Sequence, residues 1–315
     1  MACSTPGYAI NKIEVEIEEM DASLGAIQPA TQARVTEFQR FSRVFFGRKV
    51  VIFGFIIILV LIITAIFAPL LVPYNPYGQD LAHALQHPNS KHWLGTDEIG
   101  RDVLSRLIYG TRTSLMVGVV AVGVAAAIGV TLGLVSGYFG GWADNIIMRF
   151  IDALMAIPGL VLALIFAAML GGGLKNIMVA IGISLVPTYS RLMRGQVFSV
   201  KGADFILAAH SLGAKDMRIM LRHVLPNCLP PLIVLVTLQL GMAILTEAGL
   251  SYIGIGIAPP GAAWGSMVSE GYRFLLMNPV LSFAPGLSIM LVVLAFNLVG
   301  DGLRDALDPR LRGIL

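Results

Sequence analysis

Charge is scarce in this chain. Asp, Glu, Lys and Arg together make up 13% of its 315 residues, about half of the roughly 25% that soluble domains carry. So few water-facing groups cannot cover a soluble globule of this length, which excludes an ordinary cytosolic enzyme. An excess of one sign is missing too: 22 Lys and Arg against 19 Asp and Glu leave +3, too mild to attract nucleic acid. Cysteine is nearly absent, and Cys3 and Cys228 stand too far apart in sequence to suggest a disulfide scaffold or a metal cluster. No G-x-x-x-x-G-K-[ST] loop occurs, since Gly171-Gly172-Gly173-Leu174-Lys175 has the wrong spacing. The chain therefore has no cradle for phosphates and is predicted not to hydrolyse ATP by itself. There is no visible repeat of 20–50 residues, and no nucleophile–base pair stands out.

What the sequence does have is apolar length. Hydrophobic residues reach 56% and the mean hydropathy is +0.79, the signature of a multi-pass membrane protein. A helix needs about 20 mostly apolar residues to cross the hydrocarbon core. Stretches free of Asp, Glu, Lys and Arg predict six spans, at about 51–72, 115–138, 146–170, 177–193, 229–248 and 283–299. A further apolar stretch, 248–269, carries Gly254, Gly256, Pro259, Pro260 and Gly261 and reads as an irregular external segment, because such breakers end helices. An even number of spans puts both termini on one side. With both inside, sixteen Lys and Arg fall on the inner segments and six on the outer ones, so both termini are expected in the cytoplasm. The division that follows is a cytoplasmic tail (1–49), a first span (50–72), an outer loop (73–112), a five-helix core (113–300) and a second tail (301–315). The first span follows an acidic and basic tail that includes Glu14, Glu16, Glu18, Glu19 and Asp21, so it does not resemble a cleaved signal peptide.

Within the core, Pro158 and Pro187 are expected to kink their helices. Gly118, Gly123, Gly129 and Gly133 should let neighbours approach the second span. Tyr138, Trp142 and Trp264 are expected at the membrane interfaces. Charges inside a membrane are candidates for function by default, and Asp152 and Glu247 are the two in question. Asp152 lies three residues after Arg149, and helical neighbours at that spacing touch. Glu247 falls near the outer surface, where a hydrogen bond to the irregular segment is a plainer role than proton relay. With no ladder of acids or histidines, an ion-coupled secondary transporter finds little support. His83 and His87 stand at i, i+4 with His92 nearby, a spacing that can hold a metal, but Pro88 ends any helix there and no acidic partner follows.

One inner connection is long, about 194–227. Asp204 to Leu212 favours helix, and Gly213 suits its end because only glycine enters the left-handed region without strain. A second helix follows with Lys215, Arg218 and Arg222 on one face, and Pro226 is expected to separate it from the fifth span. Spacing alone fits either an amphipathic helix on lipid headgroups or a docking surface for another protein.

The pattern Ala208-Ala209, Gly213, Ile219, His223-Val224-Leu225-Pro226-Asn227 resembles the EAA loop of ABC-importer permeases. The Glu that names the motif is replaced by Leu207. His92-Trp93-Leu94-Gly95-Thr96-Asp97-Glu98-Ile99-Gly100-Arg101-Asp102, continuing to Ser105-Arg106, is similar to the H-x-LGTD-x-x-GRD stretch of the peptide and nickel permeases. Ser136 to Trp142, Glu247 to Pro260 and Gly300 to Arg310 also match. The resemblance covers about residues 40–312 and is strongest to the second, shorter permease of dipeptide and oligopeptide importers.

It implies an all-α type I permease of six spans in a bacterial cytoplasmic membrane, with no cofactor of its own. It also implies a second homologous permease, an extracytoplasmic binding protein, and separate ATPase subunits that carry ATP and Mg. The coupling helix at 204–213 would dock on the ATPases. Ala208, Ala209 and Gly213 would allow close approach, Leu225 and Pro226 would join the loop to the fifth span, and Asp216, Arg218 and Arg222 would supply polar contacts. Asp204, Leu207 and His223 belong to the same surface. With the motif Glu gone, docking would rest on shape and apolar contact. Short peptides are the implied cargo, with nickel, glutathione or another small solute as alternatives.

Overall fold

The computed structural model describes residues 37–257 and 260–307. The acidic tail, Cys3, Pro259 and the closing Pro309 and Arg310 lie outside them. The chain divides after Arg40, and the architecture below is that of the second unit. Among the described residues there is no strand, and a single isolated bridge pairs Thr96 with Asp102.

Ten helices follow one another: α1 (Glu37–Gly47), α2 (Lys49–Leu71), α3 (Val103–Phe139), α4 (Gly141–Met155), α5 (Gly159–Leu170), α6 (Leu174–Lys201), α7 (Asp204–Ser211), α8 (Asp216–Tyr252), α9 (Trp264–Tyr272) and α10 (Val280–Leu307). Helices α2, α3, α8 and α10 are long and apolar enough to cross a membrane, and the bent pair α4–α5 adds a fifth crossing if it is one span. The remaining expected span, α6, does not qualify on the same measure, so the described residues hold four or five candidate crossings against the six expected. The 28 residues of α6 make it about 42 Å long at 1.5 Å per residue, ample for a core about 30 Å thick. It carries Arg191, Arg194 and Lys201 towards one end, and its middle is enclosed by protein, with Ile177, Ile181, Tyr189, Met193 and Val197 fully buried. By contrast α2 buries only Val51, Gly54 and Ala68 and is apolar all round, as a lipid-facing helix must be.

The centre of the bundle is the α3–α6 pair. Gly129, Gly133 and Gly137 lie four residues apart on one face of α3. A Cβ on Gly129 would come within 2.5 Å of the Tyr189 Cβ, one on Gly133 would overlap the Ser190 carbonyl oxygen, and one on Gly137 would lie 2.8 Å from the Val197 Cβ. Backbone meets side chain directly along this face, and in lipid such packing supplies most of the association. Gly118 meets Ile244 of α8 in the same way, whereas Gly123 faces open space and joins no interface within the chain.

Proline acts differently at three sites. Pro158 breaks the expected third span outright: α4 and α5 meet at 93°, because proline lacks an N–H and its ring displaces the carbonyl four residues back. Pro187 lies inside α6 without ending it. Pro226 does not separate the loop from the fifth span as expected, since α8 runs unbroken from Asp216. A π turn over Met220–Val224, in which the Leu225 N–H reaches back to the Met220 carbonyl, widens the helix just before the ring and removes the conflict.

The segment between α2 and α3 is folded around α3's first turn. Asp102 caps that turn by accepting from the Ser105 N–H at 2.8 Å and contacts His92 Nδ1 at 2.9 Å. Arg101 donates to Asp97 at 2.5 Å and to Glu270 of α9 at 3.0 Å, with Arg106 beside both acids. Burial pushes the Glu270 carboxyl up, while Arg106 and Arg101 oppose the rise. The expected irregular segment is only partly irregular, because residues 248–252 complete α8 and α9 begins at Trp264. Of the three aromatics expected at the interfaces, two are packed inside the protein. Tyr138 is buried, and Trp264 is buried with its indole N–H donating to the Leu107 carbonyl at 3.0 Å; only Trp142 is exposed. Their polar atoms find protein partners, as buried Tyr and Trp usually do.

Candidate functional site: the 202–215 loop

Helix α7 is short, and its bounds follow from local chemistry. The Ile206 and Leu207 N–H groups both bond the Ala203 carbonyl, which sets its first turn. At its end the Gly213 N–H bonds the His210 carbonyl and the Ala214 N–H bonds the Ala209 carbonyl, the paired pattern of a Schellman stop. That stop needs Gly213 at φ +75°, a conformation costing an L-residue about 1–2 kcal/mol. A Cβ there would meet nothing within 4 Å, so the glycine serves the turn and not a contact within this chain.

Two faces then divide. Ile206 is buried on the inner face, together with Ile219, Met220 and Val224 of α8, and Ala209, Ala214 and Leu225 pack against the same cluster. Burying a side chain such as Ile206 contributes about 2 kcal/mol, enough to seat an eight-residue helix that would not persist alone. Away from this cluster Leu212 is 88% exposed, Met217 61%, Leu207 57% and Phe205 47%. Exposed groups of large apolar side chains are candidate contact surfaces.

Between α7 and the start of α8 runs an open groove of about 490 Å³, lined by Phe205, Ala208, Ala209, Leu212, Gly213, Ala214, Arg218, Arg222 and His223. Ala208, Ala209, Gly213, Arg218, Arg222 and His223, all expected at the site, converge here. Others do not. Asp204 is exposed in α7's first turn, Leu207 stands exposed on the same helix, and Pro226 is exposed at the π turn. Leu225 turns inward to the core. Asp216 accepts a hydrogen bond from the Tyr138 hydroxyl at 2.8 Å. Phe205, Leu212 and Ala214 were not singled out by the sequence. In a chain this apolar a leucine looks like core, and only the packing shows that it is not.

Asp152, Glu247 and His83 each meet a partner within the chain. Asp152 pairs with Arg191 of α6 at 2.6 Å and not with Arg149, because α4 lays that face against α6. Glu247 is fully buried and accepts from the Ser251 hydroxyl at 2.6 Å, a bond made within α8. His83 contacts Asp80 at 2.7 Å, holding that carboxyl below the usual range. Among the described residues no three His, Cys, Asp or Glu side chains come together at metal-binding range.

The family model described as the inner membrane component of binding-protein-dependent transport systems matches residues 129–313, and that of the N-terminal transmembrane domain of oligopeptide transport permease C matches residues 36–88. The chain is 46% identical to the dipeptide transport system permease protein DppC of Alkalihalophilus pseudofirmus over 264 residues, 84% of this chain and 87% of that one. It is 43% identical to the glutathione transport system permease protein GsiD of Pectobacterium atrosepticum over 278 residues, covering 88% and 92%. Among solved structures, an inward-facing conformation of the MetNI methionine ABC transporter superposes with a TM-score of 0.54 at 19% identity, covering 65% of this chain and 97% of that chain. That last likeness is one of fold.

Proposed function

Because the chain belongs to the family of inner membrane components of binding-protein-dependent transport systems, we propose that it forms half of the translocation pathway of an ATP-driven importer of short peptides. A second homologous permease supplies the other half. Of two ATP-binding subunits, one seats on the 202–215 loop and the other on the second permease, and a binding protein delivers cargo from outside. The chain itself performs no catalysis; ATP and Mg act on the partner subunits. Both termini face the cytoplasm, with the loop on the same side.

The observation that carries this reading is the outward apolar face of α7. Phe205 and Leu207 flank the buried Ile206 on α7, and Leu212 follows its last turn; all three stand exposed while Ile206 holds the helix, so the helix is anchored and still unsatisfied. A partner that covers it gains apolar burial, and no acidic side chain at 207 is needed. When the ATPase pair closes on ATP, α7 is displaced. A packed interior does not absorb such a shift continuously but moves as elements, and the spans change from inward-open to outward-open.

The peptide assignment is supported by the named activity of the DppC relative. A second cargo, glutathione, is favoured by the GsiD relative, and the two are related, since glutathione is itself a tripeptide. Uptake into ATP-loaded proteoliposomes holding the full complex and its binding protein decides between them. Dipeptide uptake that excess glutathione fails to displace supports the peptide reading. Glutathione uptake without dipeptide uptake replaces it.

A further inference from the structure

Both ends of the 202–215 loop meet one residue of α3. Before the loop, the Lys201 ammonium donates to the Tyr138 carbonyl and stands 5.4 Å from the centre of the Tyr138 ring. After it, Asp216 accepts from the Tyr138 hydroxyl at 2.8 Å. Tyr138 is itself fixed, being 4% exposed, in the last turn of α3, beside the Gly137–Val197 contact with α6. A second clasp lies one turn away. Arg194 of α6 binds Asp144 of α4 through two bonds of 2.6 and 2.7 Å, and Ser136 of α3 donates to the same carboxylate at 2.5 Å.

We propose that Tyr138 is the positioning residue through which displacement of the 202–215 loop reaches α3. Three features support this. The hydroxyl–carboxylate bond joins α3 to the first residue of α8, the spanning helix that leaves the loop. The Lys201 contacts join α3 to the last residue of α6, the helix that enters it. A loop held at one end by the Tyr138 carbonyl and ring and at the other by the Tyr138 hydroxyl cannot shift without moving that residue or breaking its bonds. Charge-assisted bonds such as Tyr138–Asp216 are the stronger class, so the tie holds against a load. The proposal rests on the permease reading above and adds a residue outside the docking loop.

The test uses the complete complex in proteoliposomes, with Tyr138→Phe. This substitution removes the hydroxyl and keeps the ring for Lys201. The expected result is unchanged recovery of ATPase subunits, continued ATP hydrolysis, and a fall of roughly fivefold or more in solute moved per ATP, the scale of an ordinary coupling free energy. Asp216→Asn, which still offers an acceptor to the hydroxyl, should retain more of that ratio than Tyr138→Phe. A role confined to stability would lower thermal stability and both activities together and leave the ratio unchanged; that result, or a wild-type ratio with full activity, overturns the proposal. A wild-type complex that moves solute without ATP removes the permease reading, and the proposal with it.

Discussion

Just before α3, Arg101 is 2% exposed and is shared between Asp97 on its own loop and Glu270 on α9. Removing it leaves two carboxylates facing each other with only Arg106 between them, at 3.4–3.5 Å from each. Deleting one partner of a buried ion pair costs several kcal/mol, because the remaining charge is desolvated and unpaired. Arg101→Ala should therefore destabilise the protein by about 3 kcal/mol, read as a lowered midpoint of thermal unfolding in detergent. The same change at the exposed Arg191 should cost well under about 1 kcal/mol. The sequence shows both cations equally well and cannot rank them. It also shows Arg149 three residues from Asp152, but not the helix that brings Arg191 closer. Pairings at helical spacing are visible in a sequence, while those made across a bundle are not.

Helices are read more reliably than their neighbours. The bounds of α7 follow from Gly213 and from the apolar run before it, and the π turn that lets Pro226 pass without a break has no comparable signal. Three prolines that look alike in sequence break a span, lie within one, and follow a widened turn, according to what surrounds them. Glycines behave similarly. Gly123 and Gly133 occur in the same apolar run, yet a Cβ on Gly133 would strike the backbone of α6 and one on Gly123 would meet nothing. Gly133→Ala should overpack the α3–α6 seam and cost about 1–3 kcal/mol. Gly123→Ala should be neutral or slightly stabilising, since alanine favours helix over glycine by about 1 kcal/mol. Unfolding of the two variants side by side separates seam from surface; equal effects would mean that α3 and α6 are not packed through Gly133.

On the scale of the whole molecule, composition alone establishes a polytopic membrane protein, and the loop pattern places it in its family. The convergence of Ala208, Ala209 and Gly213 with Arg218, Arg222 and His223 on one groove was legible because these residues sit within two adjoining helices. The exposure of Leu212 and the tie between Tyr138 and the loop were not, because they depend on how α3, α6 and α8 pack. Those packed helices give the loop a fixed inner face and an uncovered outer one, and the account rests on that asymmetry. The measurement that tests it most directly is purification of the chain from its native membrane, alongside Leu212→Asp, with identification of the accompanying subunits. A second permease and ATP-binding subunits should accompany the native chain, and the ATP-binding subunits alone should be lost from the variant, since Leu212 is 88% exposed and its replacement leaves the fold intact. ATP-binding subunits that stay with the variant as firmly as with the native chain would contradict that expectation.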